Sequence, residues 1–211
     1  MVIIMSVNEK IESNNREEKE RIKKNTRKAS FDIFLSYMPY IIIIVFICII
    51  RFFVATPVSV NGSSMYPTLK NDDYMILYKL TKKMRGINRF DIVVINTDSG
   101  RIIKRVIGLP GERIKYEIEK NDDGDEVGVL YINGKKVKED FIDDIAKRNT
   151  CNDDWIICKG EYIIPEDEYF VMGDNRVNSI DSRVIGTVKD KDIQGIARLR
   201  IFPFNKFGNV Y

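Results

Sequence analysis

The chain has 211 residues, 44% hydrophobic and 31% charged, which allows one ordinary domain with a buried core plus an appended segment. Lys+Arg (34) and Asp+Glu (31) nearly cancel, and a net charge of +3 gives no reason to expect a nucleic-acid partner. The chain contains no histidine, which excludes a Ser-His-Asp triad, a Cys-His dyad and any histidine-ligated metal. No metal site or cofactor is expected, and any nucleophile must recruit a base other than histidine, for which lysine is the usual substitute.

Residues 1–32 are polar, rich in Glu, Lys, Arg and Asn, and read as a cytosolic tail or a frayed helix. The stretch Arg21-Ile-Lys-Lys-Asn-Thr-Arg-Lys28 carries five positive charges and no negative ones. An almost unbroken apolar run, Ile33 to Ile50, follows it, with Pro39 near its start. About 18 helical residues reach ~27 Å, enough to cross a hydrocarbon core. Arg51 ends the run and can snorkel to the interface, beside Phe52 and Phe53 as interfacial anchors. A transmembrane anchor over 33–55 is therefore expected. A cleaved signal peptide would need a shorter apolar region and a small-x-small site, which Arg51-Phe52-Phe53-Val54 does not offer. A buried globular helix fits poorly with the four isoleucines Ile41-Ile42-Ile43-Ile44. Under the positive-inside rule the N-terminus is cytosolic and residues 56–211 lie outside a plasma membrane crossed once.

From Thr56 onward the pattern changes to short β-like runs between turn signals, and an all-β domain is expected over 56–211. The runs are Tyr74–Tyr78, Asp91–Ile95, Ile102–Ile107, Val129–Ile132, Tyr169–Met172 and Gly195–Ile201. Asn133-Gly134 is a two-residue hairpin turn. Cys48 sits in the apolar run, while Cys151 and Cys158 flank six residues. On the oxidising side of a membrane that pair is expected to form a local disulfide worth about 2–3 kcal/mol, remote from the chemistry. The alternative is two free thiols, one packed on Trp155.

Three segments carry candidate chemistry. In Pro57-Val-Ser-Val-Asn-Gly-Ser-Ser-Met-Tyr-Pro-Thr-Leu69 an alternating strand runs into small residues around Ser64, whose backbone N–H groups can face an oxyanion; a plain serine-rich turn reads the same way. In Arg101-Ile-Ile-Lys-Arg-Val-Ile107, period two puts Lys104 on one face with Ile102 and Val106. Desolvation there would lower its pKa and supply a neutral amine, unless it is an edge lysine reaching water. In Met172-Gly-Asp-Asn-Arg-Val-Asn-Ser-Ile-Asp-Ser-Arg183 polar groups are dense enough to position Lys104 and to brace the site through an Asp181–Arg183 ion pair, though an Asx-rich surface loop has the same composition.

Together these segments resemble the type I signal peptidases, which remove signal peptides from exported preproteins. The matching pieces, in the family's order, are Arg51-x-Phe-Val54, Ser64-Met-Tyr-Pro-Thr68, Asp91-Ile-Val-Val94, Lys104-Arg-Val-Ile-Gly-Leu-Pro-Gly111, Tyr131-Ile-Asn-Gly134 and Gly173-Asp-Asn-Arg-x-Asn-Ser-x-Asp-Ser-Arg183. The resemblance implies a mainly β fold of coiled antiparallel sheets, with Ser64 as nucleophile and Lys104 as general base. It implies Ser179 orienting the lysine amine, and the Ser64 N–H as oxyanion donor beside Gly62 and Ser63. Asp181, Arg183 and Arg105 would form a supporting ion-pair network, and an apolar surface including Ile201–Phe204 would rest on membrane lipid. The substrate would lie beside Pro57, Val58, Ser59, Val60, Asn61, Ile102 and Ile103, with small residues at P1 and P3. Departures from the family pattern are Gly62, where some members carry a hydroxyl, Phe90, where glycine is common, and a central insertion of about 112–165. Lys104, where the endomembrane form has histidine, points to the bacterial or organellar form. A self-cleaving Ser/Lys repressor would carry a DNA-binding module in place of the apolar run. A non-enzymatic tethered binding module predicts Ser64 and Lys104 far apart.

Overall fold

The structure, a computed structural model, describes residues 2–49, 51, 55–142 and 155–210. The chain divides into two units, Met1–Ile50 and Arg51–Tyr211. The first is one helix, α1 (Val2–Ile49), 48 residues long with Pro39 inside it. The polar segment expected as a tail is thus continuous with the apolar run, because Glu, Lys and Arg lose little rotamer freedom in a helix. Its part from Arg21 to Ile49 is long and apolar enough to cross a membrane. Phe52, Phe53 and Val54 lie outside the described residues.

The second unit is mainly β. Its strands are β1 (Ala55–Ser59), β2 (Tyr74–Tyr78), β3 (Ile92–Thr97), β4 (Gly100–Gly108), β5 (Arg113–Lys120) and β6 (Glu126–Ile132). They continue with β7 (Lys135–Lys136), β8 (Tyr162–Ile163), β9 (Glu168–Met172), β10 (Val188–Lys189), β11 (Ile193–Phe202) and β12 (Gly208–Asn209). The larger sheet has the order β1-β2-β11-β3-β4-β9-β10 with β12 on β11, and the smaller has the order β7-β6-β5-β8. All pairings are antiparallel. Every run read as β in the sequence falls on a strand, and Asn133 and Gly134, both at positive φ (50° and 74°), turn β6 into β7.

Several elements were hidden in the sequence, β5 and α2 among them. Charged residues at Arg113, Lys115, Glu117 and Glu119 mask the alternation of β5, whose Ile114 and Tyr116 are buried. The helix α2 (Lys79–Arg85) is too short for a visible helical period; it stops at Gly86, φ 73°. A second short helix, α3 (Ser182–Ile185), starts at Asp181, whose side chain accepts from the Arg183 N–H.

Strand β4 is shared by three apolar clusters: Ile103 packs against one with Val58, Val60, Met65 and Leu69, Ile107 belongs to a second, and Val106 to a third. The stretch between β1 and β2 is closed at its neck by Val60 N–H to Asp73 O (2.8 Å) and Asp72 N–H to Val60 O (2.9 Å). Met65 and Leu69 plug it into the core at 1% and 0% exposure. The turn bearing Ser64 is therefore pinned at both ends. Cys158 is disulfide-bonded and Cys48 is free, while Cys151 lies outside the described residues.

Gly195, at a register shift where β11 crosses between β2 and β3, has no room for a side chain. A Cβ would stand 2.7 Å from the Tyr78 carbonyl oxygen and 3.1 Å from Lys79 Cα, both backbone atoms that cannot swing away. Gly195→Ala is expected to destabilise by roughly 1–3 kcal/mol, read as a melting temperature lower by about 3–10 °C; an unchanged melt would show that β11 relaxes freely there.

Candidate active site

Lys104 lies in the middle of β4, paired across to Val93 of β3, and is 3% exposed. Its Nζ is 2.7 Å from Ser64 Oγ, donating to it. Burial pushes the amine below its ordinary 10.5; Asp181 pulls it up, Arg183 pushes it down and Asp174 pulls it up. Burial leads, so the neutral form needed for proton abstraction is favoured. The tethered binding module, which needs these two groups apart, is ruled out by that distance.

The backbone of Ser64 is held by the segment after β9. Asn175 N–H donates to Ser64 O at 3.0 Å, and Asn175 Nδ2 to Ser63 O at 3.1 Å. Asn178 Nδ2 donates to Ser63 Oγ at 3.1 Å. Gly62, at φ 95°, gives its N–H to Asn71 Oδ1 (2.8 Å), so this glycine satisfies a conformation that other side chains resist. Gly173 is glycine for another reason: a Cβ there would meet Ser64 O at 2.4 Å and Ser179 Oγ at 2.3 Å.

Around this contact sit buried ion pairs. Arg183 grips Asp181 with Nε–Oδ1 at 2.8 Å and Nη2–Oδ2 at 2.9 Å, and Gly173 N–H donates to the same carboxylate at 2.9 Å. Burial works to raise the Asp181 pKa, but Arg183 and the Gly173 N–H hold it below the ordinary value. Arg105 grips Asp174 with Nε–Oδ1 at 2.9 Å and Nη2–Oδ2 at 2.7 Å, and donates to Phe90 O and Thr68 Oγ1. Arg176 holds Glu139 and donates from Nε to Gly173 O at 3.1 Å.

Arg183 pairs with Asp181, as expected. The expected network is corrected only for Arg105, which takes Asp174 as its carboxylate because it alternates to the face of β4 opposite Lys104. The expected hydrogen bond from Ser179 to the lysine amine is not made: Ser179 Oγ is buried beside the Asp181 carboxylate, whose pKa it helps to lower, and the amine turns to Ser64. Of the substrate-facing residues, Pro57, Ser59 and Asn61 are exposed, but Val58 and Val60 point into the core at 7% and 3% exposure. Ile102 and Ile103 are half-buried. Asp174, Arg176, Glu139 and Trp155 were not singled out in the sequence. The first two lie in a segment whose polar density was visible; Glu139 and Trp155 carry no such signal. Phe90, where glycine is common in the resembling family, adopts φ 71°, the backbone that explains that preference.

Two stretches of strand edge remain open. β1 is the last strand of its sheet, and β9 pairs with β4 only from Arg105 to Gly108, leaving Gly100–Lys104 unpaired on that side. Among the described residues no cluster of carboxylates or cysteines could hold a metal ion.

A serine hydroxyl thus lies against a buried amine in the β domain of a chain without histidine. In comparison with known proteins, residues 33–202 match the family described as signal peptidase, peptidase S26. Signal peptidase I S of Bacillus subtilis (strain 168) is 39% identical over 79% of this chain and 87% of its own. Signal peptidase I T of the same organism is 36% identical over 90% of this chain and 96% of its own. A solved structure of a signal peptidase I from Enterococcus faecalis V583 is 33% identical, covers 52% of this chain and 95% of that one, and gives a TM-score of 0.36. The chain belongs to the signal peptidase family, peptidase S26, and is a serine endopeptidase.

Gly173→Ala should push the Ser64 turn away from its support. We expect turnover to fall roughly 100-fold with a folded domain, checked by kcat and by far-UV circular dichroism; wild-type kcat would show that the close approach is unimportant.

Proposed function

We propose that this chain is a membrane-bound endopeptidase that removes N-terminal signal peptides from exported preproteins, with Ser64 as nucleophile and Lys104 as general base. The observation that carries the reading is the 2.7 Å contact between a buried amine and the Ser64 hydroxyl. Neutral Lys104 takes the Ser64 proton as Oγ attacks the scissile carbonyl. The Ser64 N–H and the Ser63 hydroxyl, held by Asn178, offer donors to the oxyanion, since Gly62 has no side chain to do so. The Lys104 ammonium then protonates the leaving amine. Neutral again, it removes a proton from water, which attacks the acyl ester and releases the new carboxylate and Ser64. Ser179, whose hydroxyl lies beside the Asp181 carboxylate, would take up the lysine amine once that amine carries the extra proton.

The substrate path follows the open edges, with the extended peptide adding as a strand beside Pro57–Asn61 and Ile102–Ile103. Alternation aims P1 and P3 at one wall, and shallow recesses there favour small side chains. Residues 33–55 form the anchor, 1–32 face the cytosol and 56–211 the outside, with membrane lipid against Phe202 and Phe204, which are 45% and 79% exposed. Their rings stack edge-on at 5.6 Å.

Ser64→Ala and Lys104→Ala are each expected to abolish cleavage of a purified preprotein while the domain stays folded; a near wild-type rate in either variant removes the dyad. The lysine also sets the pH dependence. A base with a lowered pKa is active above that pKa and protonated below it, so kcat/KM should rise with pH through a midpoint below 10.5. A limb at or above 10.5 would contradict a desolvated base. For orientation, protease added to intact wall-stripped cells should digest the part after Arg51 and spare the N-terminal tail; digestion of the tail alone would mean the reverse topology.

A further inference from the structure

Three arginines lie buried around the dyad, and each is engaged by a residue from the stretch that links the strands of the smaller sheet. Glu139 accepts from Arg176 Nη1 at 3.1 Å and also from Nη2. The Phe141 ring lies 4.1 Å from the Arg105 guanidinium carbon, and the Trp155 ring 4.5 Å from that of Arg183. Trp155 sits three residues before the disulfide-bonded Cys158, so this stretch is not remote from the chemistry as its sequence position suggests.

The inner ends of the same arginines converge on two consecutive residues. Arg176 Nε donates to Gly173 O, Arg183 holds the Asp181 carboxylate that accepts the Gly173 N–H, and Arg105 grips Asp174. Gly173 is thereby fixed at both its N–H and its C=O. It is also the residue pressed between Ser64 O and Ser179 Oγ.

We infer that Glu139, Phe141 and Trp155 are positioning residues, which fix the three arginines from outside and through them set Gly173–Asp174 against the nucleophile turn. The inference rests on the reading of Ser64 and Lys104 as the dyad. Arg183 Nη1 is buried with no hydrogen-bond partner, and the Trp155 face covers that guanidinium. Remove the ring and water reaches Arg183, competing for Asp181 and loosening the hold on Gly173. Water there also relieves the burial that keeps Lys104 low among its charged neighbours Asp181, Arg183 and Asp174. The amine pKa then rises, and the acid limb of the rate profile moves to higher pH.

The test compares Trp155→Ala, Trp155→Phe and Glu139→Gln in the full-length enzyme, cleaving a purified preprotein in detergent. For Trp155→Ala we expect kcat to fall roughly tenfold or more, KM to stay within about threefold of wild type, and the acid limb of kcat/KM to move up. Trp155→Phe, which keeps a ring, should restore kcat to within about threefold. Glu139→Gln keeps the volume and removes the charge paired with Arg176, so its kcat should fall roughly tenfold with a cooperative melt retained. Wild-type kcat and an unmoved limb in folded Trp155→Ala would overturn the inference. If that variant does not fold, wild-type kcat in Glu139→Gln overturns it equally. A loss that disappears on assay at lower temperature, tracking the melt alone, would also overturn it. Ser64→Ala in the same assay separates the two readings: activity there sinks the dyad, while an inactive Ser64→Ala beside fully active Trp155→Ala and Glu139→Gln sinks only the positioning role.

Discussion

A lysine amine kept out of water against a serine hydroxyl is the constraint around which the rest of this domain is arranged. On the proposed mechanism that amine is the base, a group whose ordinary form is a cation and whose neutral form burial favours. The two carboxylates nearby work against it, since Asp181 and Asp174 both favour the ammonium. Each of them is claimed by its own arginine in a two-point grip, Asp181 by Arg183 and Asp174 by Arg105. Arg183 works against the field that favours the Lys104 ammonium, and the Asp181 carboxylate it holds still accepts from the Gly173 N–H.

Such pairs are poor evidence for stability. Taking both charges out of water costs about as much as their attraction returns, and well-packed apolar replacements are often neutral or better. Removing one partner is another matter, at roughly 3–5 kcal/mol, because it strands a buried charge. Their return lies in direction. The Arg–carboxylate fork is planar and admits one geometry, and here the forks end on the peptide groups of Gly173 and its neighbour. A glycine that must come within contact of Ser64 O has no side chain to lock it in place, so its position has to be imposed through its N–H and C=O. Asp181 and Arg176 supply those two restraints.

Much of the site was legible in the sequence. A lysine among Ile102, Ile103 and Val106 breaks the strand pattern in a way that demands a reason, and the serine turn announces itself by small residues between apolar ones. Strands were legible where one face is apolar. They were lost where charged residues with long stems cover the outer face, as in β5, or where the element is a single turn or two, as in α2. The pair of Asp181 with Arg183, two residues apart, was legible; that of Arg105 with Asp174 was not, because it depends on which face of β4 the arginine leaves by and on how the segment after β9 bends back. Nothing local marks Glu139 or Trp155 either: a glutamate in a lysine-rich stretch and a lone tryptophan near two cysteines look like solvated loop, and their role exists only once the smaller sheet is folded beside the larger one. Val58 and Val60 were read as lying beside the substrate; alternation turns their side chains into the core, so on that side they offer main chain only.

That alternation bears on how a peptidase of this build can select its substrates. Ile103 shares an apolar cluster with Val58 and Val60, so the larger sheet has rolled until an inner strand and its first strand line the same core. The open edge of β1 and the open stretch of β4 both adjoin the dyad in consequence, since Lys104 ends one and the Ser64 turn follows the other. On the proposed path, affinity for an extended peptide comes from main-chain hydrogen bonds, which every sequence offers alike. Side-chain selection is left to the wall behind those edges. Its valines and isoleucine are already packed against the core, so a large P1 or P3 residue could be admitted only by displacing buried apolar groups. Exclusion by a filled wall would then account for a preference for small residues without any pocket built to recognise them.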